Sequence, residues 1–246
     1  MELAGKAALV TGGARMGVTI GSALAARGTD VAFSYHRSSD AVEGAAAAVR
    51  DAGRRGVAIR ADLSQAAGCE QLVSAAVDAL GRLDILVLMA SVYAEVPFEQ
   101  LTEAAWRTQM RVDLDSTLHC VRAALPHLRR AGGGRVVTFS DWTAASSRPR
   151  YRGWTGYYVA KAGVKALTES LALELAADGI LVNAIAPGPV LPPPEASAEQ
   201  QAAVRAATPL GRWGGPEAVA QALVLIVESD FMTGETIRVD GGRHVK

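Results

Sequence analysis

Five short runs of strand-forming apolar residues alternate with alanine-rich stretches through the first 140 residues, and this alternation constrains the chain more than any other feature. The runs are Ala7–Val10, Val31–Ser34, Gly56–Arg60, Ile85–Leu88 and Arg135–Phe139. Between them, Ile20–Arg27, Ala41–Ala52, Ala66–Leu80 and Ala104–Leu128 space their apolar residues as helices do. Runs that are apolar at nearly every position need burial on both faces, which a parallel sheet between two helix layers provides. Two further units follow, Tyr158–Ala176 into Leu181–Ile185 and Pro216–Val227 into Thr236–Val239. The expectation is an α/β fold with seven parallel strands in one doubly wound sheet, made by a single domain over residues 1–246. The stretch Pro187–Pro194 is too short to link domains and reads as a loop leading into a substrate flap around 189–212.

Composition narrows the functional classes. Lys plus Arg and Asp plus Glu number 25 each, so the formal net charge is zero. Binders of nucleic acid or of anionic membranes need a basic excess, and neither is expected. Two cysteines, Cys69 and Cys120, make no disulfide framework and suit a reducing compartment. No apolar run reaches the roughly 20 residues of a membrane span, and Met1–Lys6 does not read as a signal peptide, so a cytoplasmic location is expected. His119, His127 and His244 have no metal-ligand spacing with the cysteines, and no metal site is expected.

In open α/β sheets, ligands bind outside the carboxyl ends of the strands, so the residues just after each run carry the information. The first run leads into Thr11-Gly12-Gly13-Ala14-Arg15-Met16-Gly17, with a helix starting near Val18. Glycines at such a turn let the backbone approach a pyrophosphate, and the helix N-terminus adds partial positive charge. The second run ends in Tyr35-His36-Arg37-Ser38-Ser39, with no acid before Asp40. A guanidinium fork suits a phosphate, so Arg37 with His36, Ser38 and Arg15 points to the 2′-phosphate of NADP(H) rather than to the ribose hydroxyls of NAD. The alternative for this stretch is a solvated turn ending in a helix cap. After the third run, Asp62 is placed against the adenine amino group or, equally, as an N-terminal helix acid.

Further along, Tyr157-Tyr158-Val159-Ala160-Lys161 sits near the start of a long helix. Residues four apart share a helix face, so Tyr157 and Lys161 can meet, whereas the corresponding partner of Tyr158 is Ala162. A neighbouring ammonium favours the phenolate and lowers the phenol's pKa toward working pH. Such a phenol can give a proton to a carbonyl oxygen or take one back.

These residues, together with Asn183-Ala184-Ile185-Ala186-Pro187-Gly188 and the closing Thr233-Gly234 and Val239-Asp240-Gly241-Gly242, resemble the short-chain dehydrogenase/reductases over essentially the whole chain. The Tyr35–Ser38 turn looks most like that of pteridine reductases, and the general set like 3-oxoacyl-carrier-protein reductases. The resemblance implies a Rossmann-type fold, NADP(H) as cofactor, a small carbonyl or pterin-like substrate, and a homotetramer joined through the long helices and the last strand and helix. It also implies that Lys161 holds the nicotinamide ribose beside Tyr157. Gly12, Met16, Gly17, Leu63, Ala90, Ser91, Pro187, Gly188 and Val190 complete the implied cofactor set.

The chain departs from the family pattern at four places. Its glycine loop is shorter, with Met16 near the middle glycine position. Strand four ends Leu88-Met89-Ala90-Ser91 in place of Asn-Asn-Ala-Gly, leaving only backbone to line the adenosine pocket. The helix asparagine that anchors a relay water falls at Asp113, which can accept from water or pair with Lys161. Strand five runs into Ser140-Asp141 where two serines are usual; Asp141 is assigned to the substrate and Ser140 is the fallback hydroxyl. Between Trp142 and Trp154 stand Arg148, Arg150 and Arg152, which read as solvated, while the two indoles either stack on a flat substrate or pack the loop. The competing reading is a catalytically impaired paralogue that binds a dinucleotide, or nothing, and acts as a structural or regulatory subunit.

Overall fold

In the computed structural model, which describes residues 1–246, every apolar run becomes a strand. They are β1 (Ala7–Thr11), β2 (Asp30–Tyr35), β3 (Gly56–Arg60), β4 (Ile85–Leu88), β5 (Gly134–Phe139), β6 (Ile180–Pro187) and β7 (Thr236–Val239). All neighbours pair in parallel, in the order β3-β2-β1-β4-β5-β6-β7. The helices are α1 (Gly17–Ala25), α2 (Ser39–Asp51), α3 (Ala66–Leu80), α4 (Glu103–Met110), α5 (Ser116–Arg130), α6 (Trp142–Ala145), α7 (Thr155–Leu175), α8 (Ala198–Ala207) and α9 (Pro216–Glu228). The expected α/β Rossmann-type sheet of seven parallel strands is therefore present.

Strand alternation divides the core in two. Ala8, Val10, Val31, Phe33, Ile85 and Val87 face α1, α2 and α9, whereas Ala7, Leu9, Ala32, Leu86 and Val136 face α3 and α5. Side chains on successive strand residues point to opposite faces, so runs apolar throughout fill both layers at once. Fully burying one such leucine contributes about 1.5–3 kcal/mol. The strand order reverses between β1 and β4, which opens a crevice above their carboxyl ends.

Two differences from the sequence expectation matter for the site. Ala104–Leu128 is not one helix: a π-turn at Arg111–Asp115 separates α4 from α5, and Asp113 sits in its middle. Asp141 caps the unexpected short helix α6, its carboxylate accepting from the Thr143 amide at 2.7 Å. Beyond the proline loop, α8 opens with a reciprocal cap between Ser197 and Gln200. No helix is long and apolar enough to cross a membrane.

Candidate active site

A cleft of about 1200 Å³ lies above the carboxyl ends of the strands. At the end over β1 and β2, Gly12 has φ +72°, and a Cβ there would lie 2.6 Å from the Ala90 Cα. The loop after β1 thus passes so close to the end of β4 that only glycine fits. Thr11 secures the same junction, its hydroxyl oxygen accepting from the Met89 and Ala90 amides at 3.1 and 3.2 Å. With no asparagine after β4, this hydroxyl fixes the backbone there. Helix α1 starts at Gly17 with no side-chain cap; the Gly17 amide donates to the Gly13 carbonyl oxygen at 2.7 Å, which leaves the Val18 and Thr19 amides to donate to an anion.

The cofactor residues expected from sequence divide into two groups. Gly12, Arg15, Met16, His36, Arg37, Ser38, Asp62, Ser91, Pro187, Gly188 and Val190 line the cleft. Gly17, Leu63 and Ala90 do not. Gly17 is buried where a Cβ would lie 3.3 Å from Ala45, so it packs α1 against α2. Leu63 belongs to the core beneath α3, and Ala90 faces Gly12. Arg15 is also corrected. Its guanidinium donates to the Leu191 and Pro192 carbonyl oxygens at 3.0 and 3.1 Å, so it pins the proline loop instead of joining Arg37. Asp62 accepts from the Ser64 amide at 3.0 Å, and the Ser64 hydrogen bonds hold its carboxyl below the usual range.

At the other end, Tyr157 and Lys161 stand one turn apart at the start of α7, with the Lys161 Nζ 5.6 Å from the Tyr157 ring centroid. Lys161 is buried; its Nζ donates to the Phe139 carbonyl oxygen at 3.0 Å and pairs with Asp113 at 3.3 Å. Asp113 also accepts from the Ser91 hydroxyl, from the Val92 amide at 2.9 Å and from Gln109 Nε2 at 2.7 Å. Its carboxylate is fully engaged by protein donors, so the expected role of anchoring a relay water gives way to pairing with Lys161.

The expected lowering of the Tyr157 pKa is reversed. Burial raises it well above the ordinary tyrosine value, and the facing carboxylates of Asp141 and Asp113 add to the rise. Its hydroxyl donates to Asp141 Oδ2 at 3.3 Å. Asp141 itself is raised, chiefly by burial, against the lowering effect of its bonds to Thr143. One carboxylate oxygen thus serves the helix cap and the other meets the phenol. Ser140, the fallback, is buried and donates to the Lys161 carbonyl oxygen at 2.9 Å, so its hydroxyl is committed to α7.

Sequence reasoning missed Tyr93 and Arg243 in the cleft and Gln109, buried beside it. Tyr93 lies 4.1 Å from Trp154 and 5.1 Å from Tyr157, centroid to centroid, and forms an aromatic wall beside the phenol. Its position just past the end of β4 is the signal that could have found it. Gln109 donates to the Val92 carbonyl oxygen at 2.8 Å as well as to Asp113, four residues on. Trp142 is buried, with Arg150 and Arg243 over its ring at 5.7 and 5.4 Å. Arg150, exposed as expected, also lines the cleft, and Arg243 joins it from the far end of the chain.

Comparison with known proteins agrees with this geometry. Residues 13–244 match the family model of enoyl-(acyl carrier protein) reductases. The chain is 35% identical to the short-chain reductase protein NovJ of Streptomyces niveus, over 96% of this chain and 93% of the relative. It is 36% identical to the cis-4-hydroxycyclohexanecarboxylate dehydrogenase of Sinomonas cyclohexanicum, over 96% of each. A crystal structure of a short-chain dehydrogenase from Burkholderia cenocepacia in complex with NADP superposes with TM-score 0.91 at 31% identity, covering 99% of both chains. A parallel sheet with this strand order, a tyrosine and lysine one turn apart at its carboxyl edge and relatives matched end to end make this chain an oxidoreductase of the short-chain dehydrogenase/reductase family.

Proposed function

We propose that the chain is an NADPH-dependent reductase of a carbonyl or C=N group in a small molecule, pterin-like rings included, with Tyr157 as the acid/base. The observation that carries this reading is the Tyr157 hydroxyl, held in the cleft against Asp141 with Lys161 one turn away. Relatives named as a reductase and as an alcohol-acid dehydrogenase support the same class of reaction.

The cleft fits a dinucleotide on its own observations: a glycine turn after β1 that lines it, free Val18 and Thr19 amides at the uncapped start of α1, and an exposed Arg37 beside His36 and Ser38. Gly12, Met16 and the α1 amides that follow Gly17 would hold the pyrophosphate, and His36, Arg37 and Ser38 the 2′-phosphate. Asp62 and Ser91, which line the cleft, would hold the adenosine. Pro187, Gly188, Val190, Tyr157 and Lys161 would hold the nicotinamide riboside. When bound, the cofactor supplies hydride. The protein supplies the proton: Tyr157, kept protonated by its surroundings, gives it to the substrate oxygen or nitrogen. Asp141 orients the phenol, and Asp113 keeps the Lys161 ammonium in place.

The direct test follows NADPH absorbance with ketones, quinones, β-ketoacyl thioesters and dihydropterins; no oxidation with any of them would remove the reading. A dinucleotide-binding subunit without activity is the second reading, favoured by the pairing of Lys161 with Asp113. NADPH binding without turnover would establish it.

Two further outcomes are expected. NADPH should bind about tenfold to a hundredfold more tightly than NADH, the contribution of one charge-assisted contact. Arg37→Asp should shrink or invert that gap, and equal affinities in the wild type would sink the assignment. The protein should also be a homotetramer. Leu173 on α7, Leu225 on α9 and the adjacent Phe231 are exposed, Phe231 entirely, and such faces call for cover. A monomer mass by light scattering at micromolar concentration would refute this.

A further inference from the structure

Four arginines line the cleft. Arg37 stands at the nucleotide end and Arg15 holds the proline loop, which leaves Arg150 and Arg243 without a task. Both guanidiniums lie over the same indole, that of Trp142, at 5.7 and 5.4 Å from its centroid. Trp142 directly follows Asp141, so the pair belongs to the substrate end.

The hydrogen bonds of Arg243 bring no counter-charge. Arg243 gives its Nη1 to the Val204 carbonyl oxygen and Thr208 hydroxyl, at 3.2 and 3.3 Å, and its Nη2 to the Tyr151 hydroxyl at 2.9 Å. A guanidinium has five N–H donors, so two remain. Arg150, exposed, gives one to a main-chain oxygen of Lys246, the last residue of the sequence, at 3.1 Å. The nearby side-chain carboxylates are committed elsewhere. Asp240 accepts from Gly242, His244 and the His244 ring, and Asp141 serves Thr143 and Tyr157. Two cations gathered on one ring in a walled cleft repel each other and raise the potential for an anion.

We propose that Arg150 and Arg243, held over Trp142, form an anion subsite, and that the substrate is a carbonyl compound carrying a carboxylate or phosphate. The planar fork suits either group. The aromatic wall of Tyr93 and Trp154 adds a preference for a flat or cyclic body between the anion and the reacting carbon. The inference rests on the reading of this cleft as the substrate site of a carbonyl reductase.

The test compares 4-acetylbenzoate, 4-acetylphenyl phosphate and the neutral methyl 4-acetylbenzoate as substrates with NADPH. At least one anion should exceed the ester in kcat/KM by about tenfold to a hundredfold, and the better of the two identifies the anionic group. Arg243→Gln and Arg150→Gln should bring that ratio toward one. Added salt should raise KM for the preferred anion and leave the ester's KM in place. Turnover of the ester with both ratios near one overturns the subsite while carbonyl reduction stands. If none of the three is turned over, carbonyl reduction of such compounds fails, and binding decides on the subsite. Titration of the protein with 4-acetylbenzoate and 4-acetylphenyl phosphate should then change tryptophan fluorescence saturably, with the change lost in Trp142→Phe and weakened in Arg243→Gln. No saturable change with either anion overturns it.

Discussion

Tyr157→Phe is expected to lower turnover by about 100-fold or more, the usual share of a positioned general acid, while NADPH binding stays nearly unchanged. The ring keeps its contacts with Tyr93 and Trp154, and only the hydroxyl that meets Asp141 is removed. Near-normal turnover on a confirmed substrate would overturn the mechanism. Asp141→Asn separates the two tasks of that carboxylate. The facing negative charge opposes the phenolate, so its removal should lower the Tyr157 pKa. Reduction needs the protonated phenol, and the alkaline fall in turnover should accordingly move to lower pH. Ser140→Ala should show no such shift, because that hydroxyl is bonded to the backbone of α7.

Asp113→Leu is expected to cost about 3–5 kcal/mol of stability, the range for stranding one member of a buried ion pair. At roughly 2–4 °C per kcal/mol for a chain of this length, the melting temperature should fall by about 6–20 °C. Both partners are buried, and the substitution also strips the Ser91 hydroxyl, the Val92 amide and Gln109 of their acceptor. The double variant Asp113→Leu/Lys161→Met should recover part of the loss, because no lone charge remains inside. A melting temperature in Asp113→Leu within a degree or so of wild type would show that the pair contributes nothing to the fold.

The sheet was legible because its signal is local: strands such as Leu9-Val10 and Leu86-Val87 are buried on both faces, and no polar alternation confuses them. The Tyr157 and Lys161 pair was legible for a similar reason, since helical spacing alone brings the two to one face. What sequence could not give was orientation. Arg15, Ser140 and Asp113 lie close to where the pattern places them, yet their polar atoms turn to carbonyls or charges supplied by distant segments. The π-turn is hidden for the same reason, because the partners that take up Asp113 come from the segment after β4 and from α7. Arg243 meets Tyr151 across 92 positions of chain, a contact with no local signature. The sign of the Tyr157 shift failed in turn, because one lysine says nothing of the burial that disfavours the phenolate or of the carboxylates that face it.

The hold of Arg15 on the Leu191 and Pro192 carbonyls joins the two ends of the cleft. A single guanidinium cannot both grip those oxygens and turn toward a nucleotide phosphate. An anion that draws it away frees the chain leading to α8, and a ligand that keeps that chain closed holds the guanidinium back. Linkage makes the trade reciprocal: whatever affinity one site gains or loses from the other is returned in equal measure.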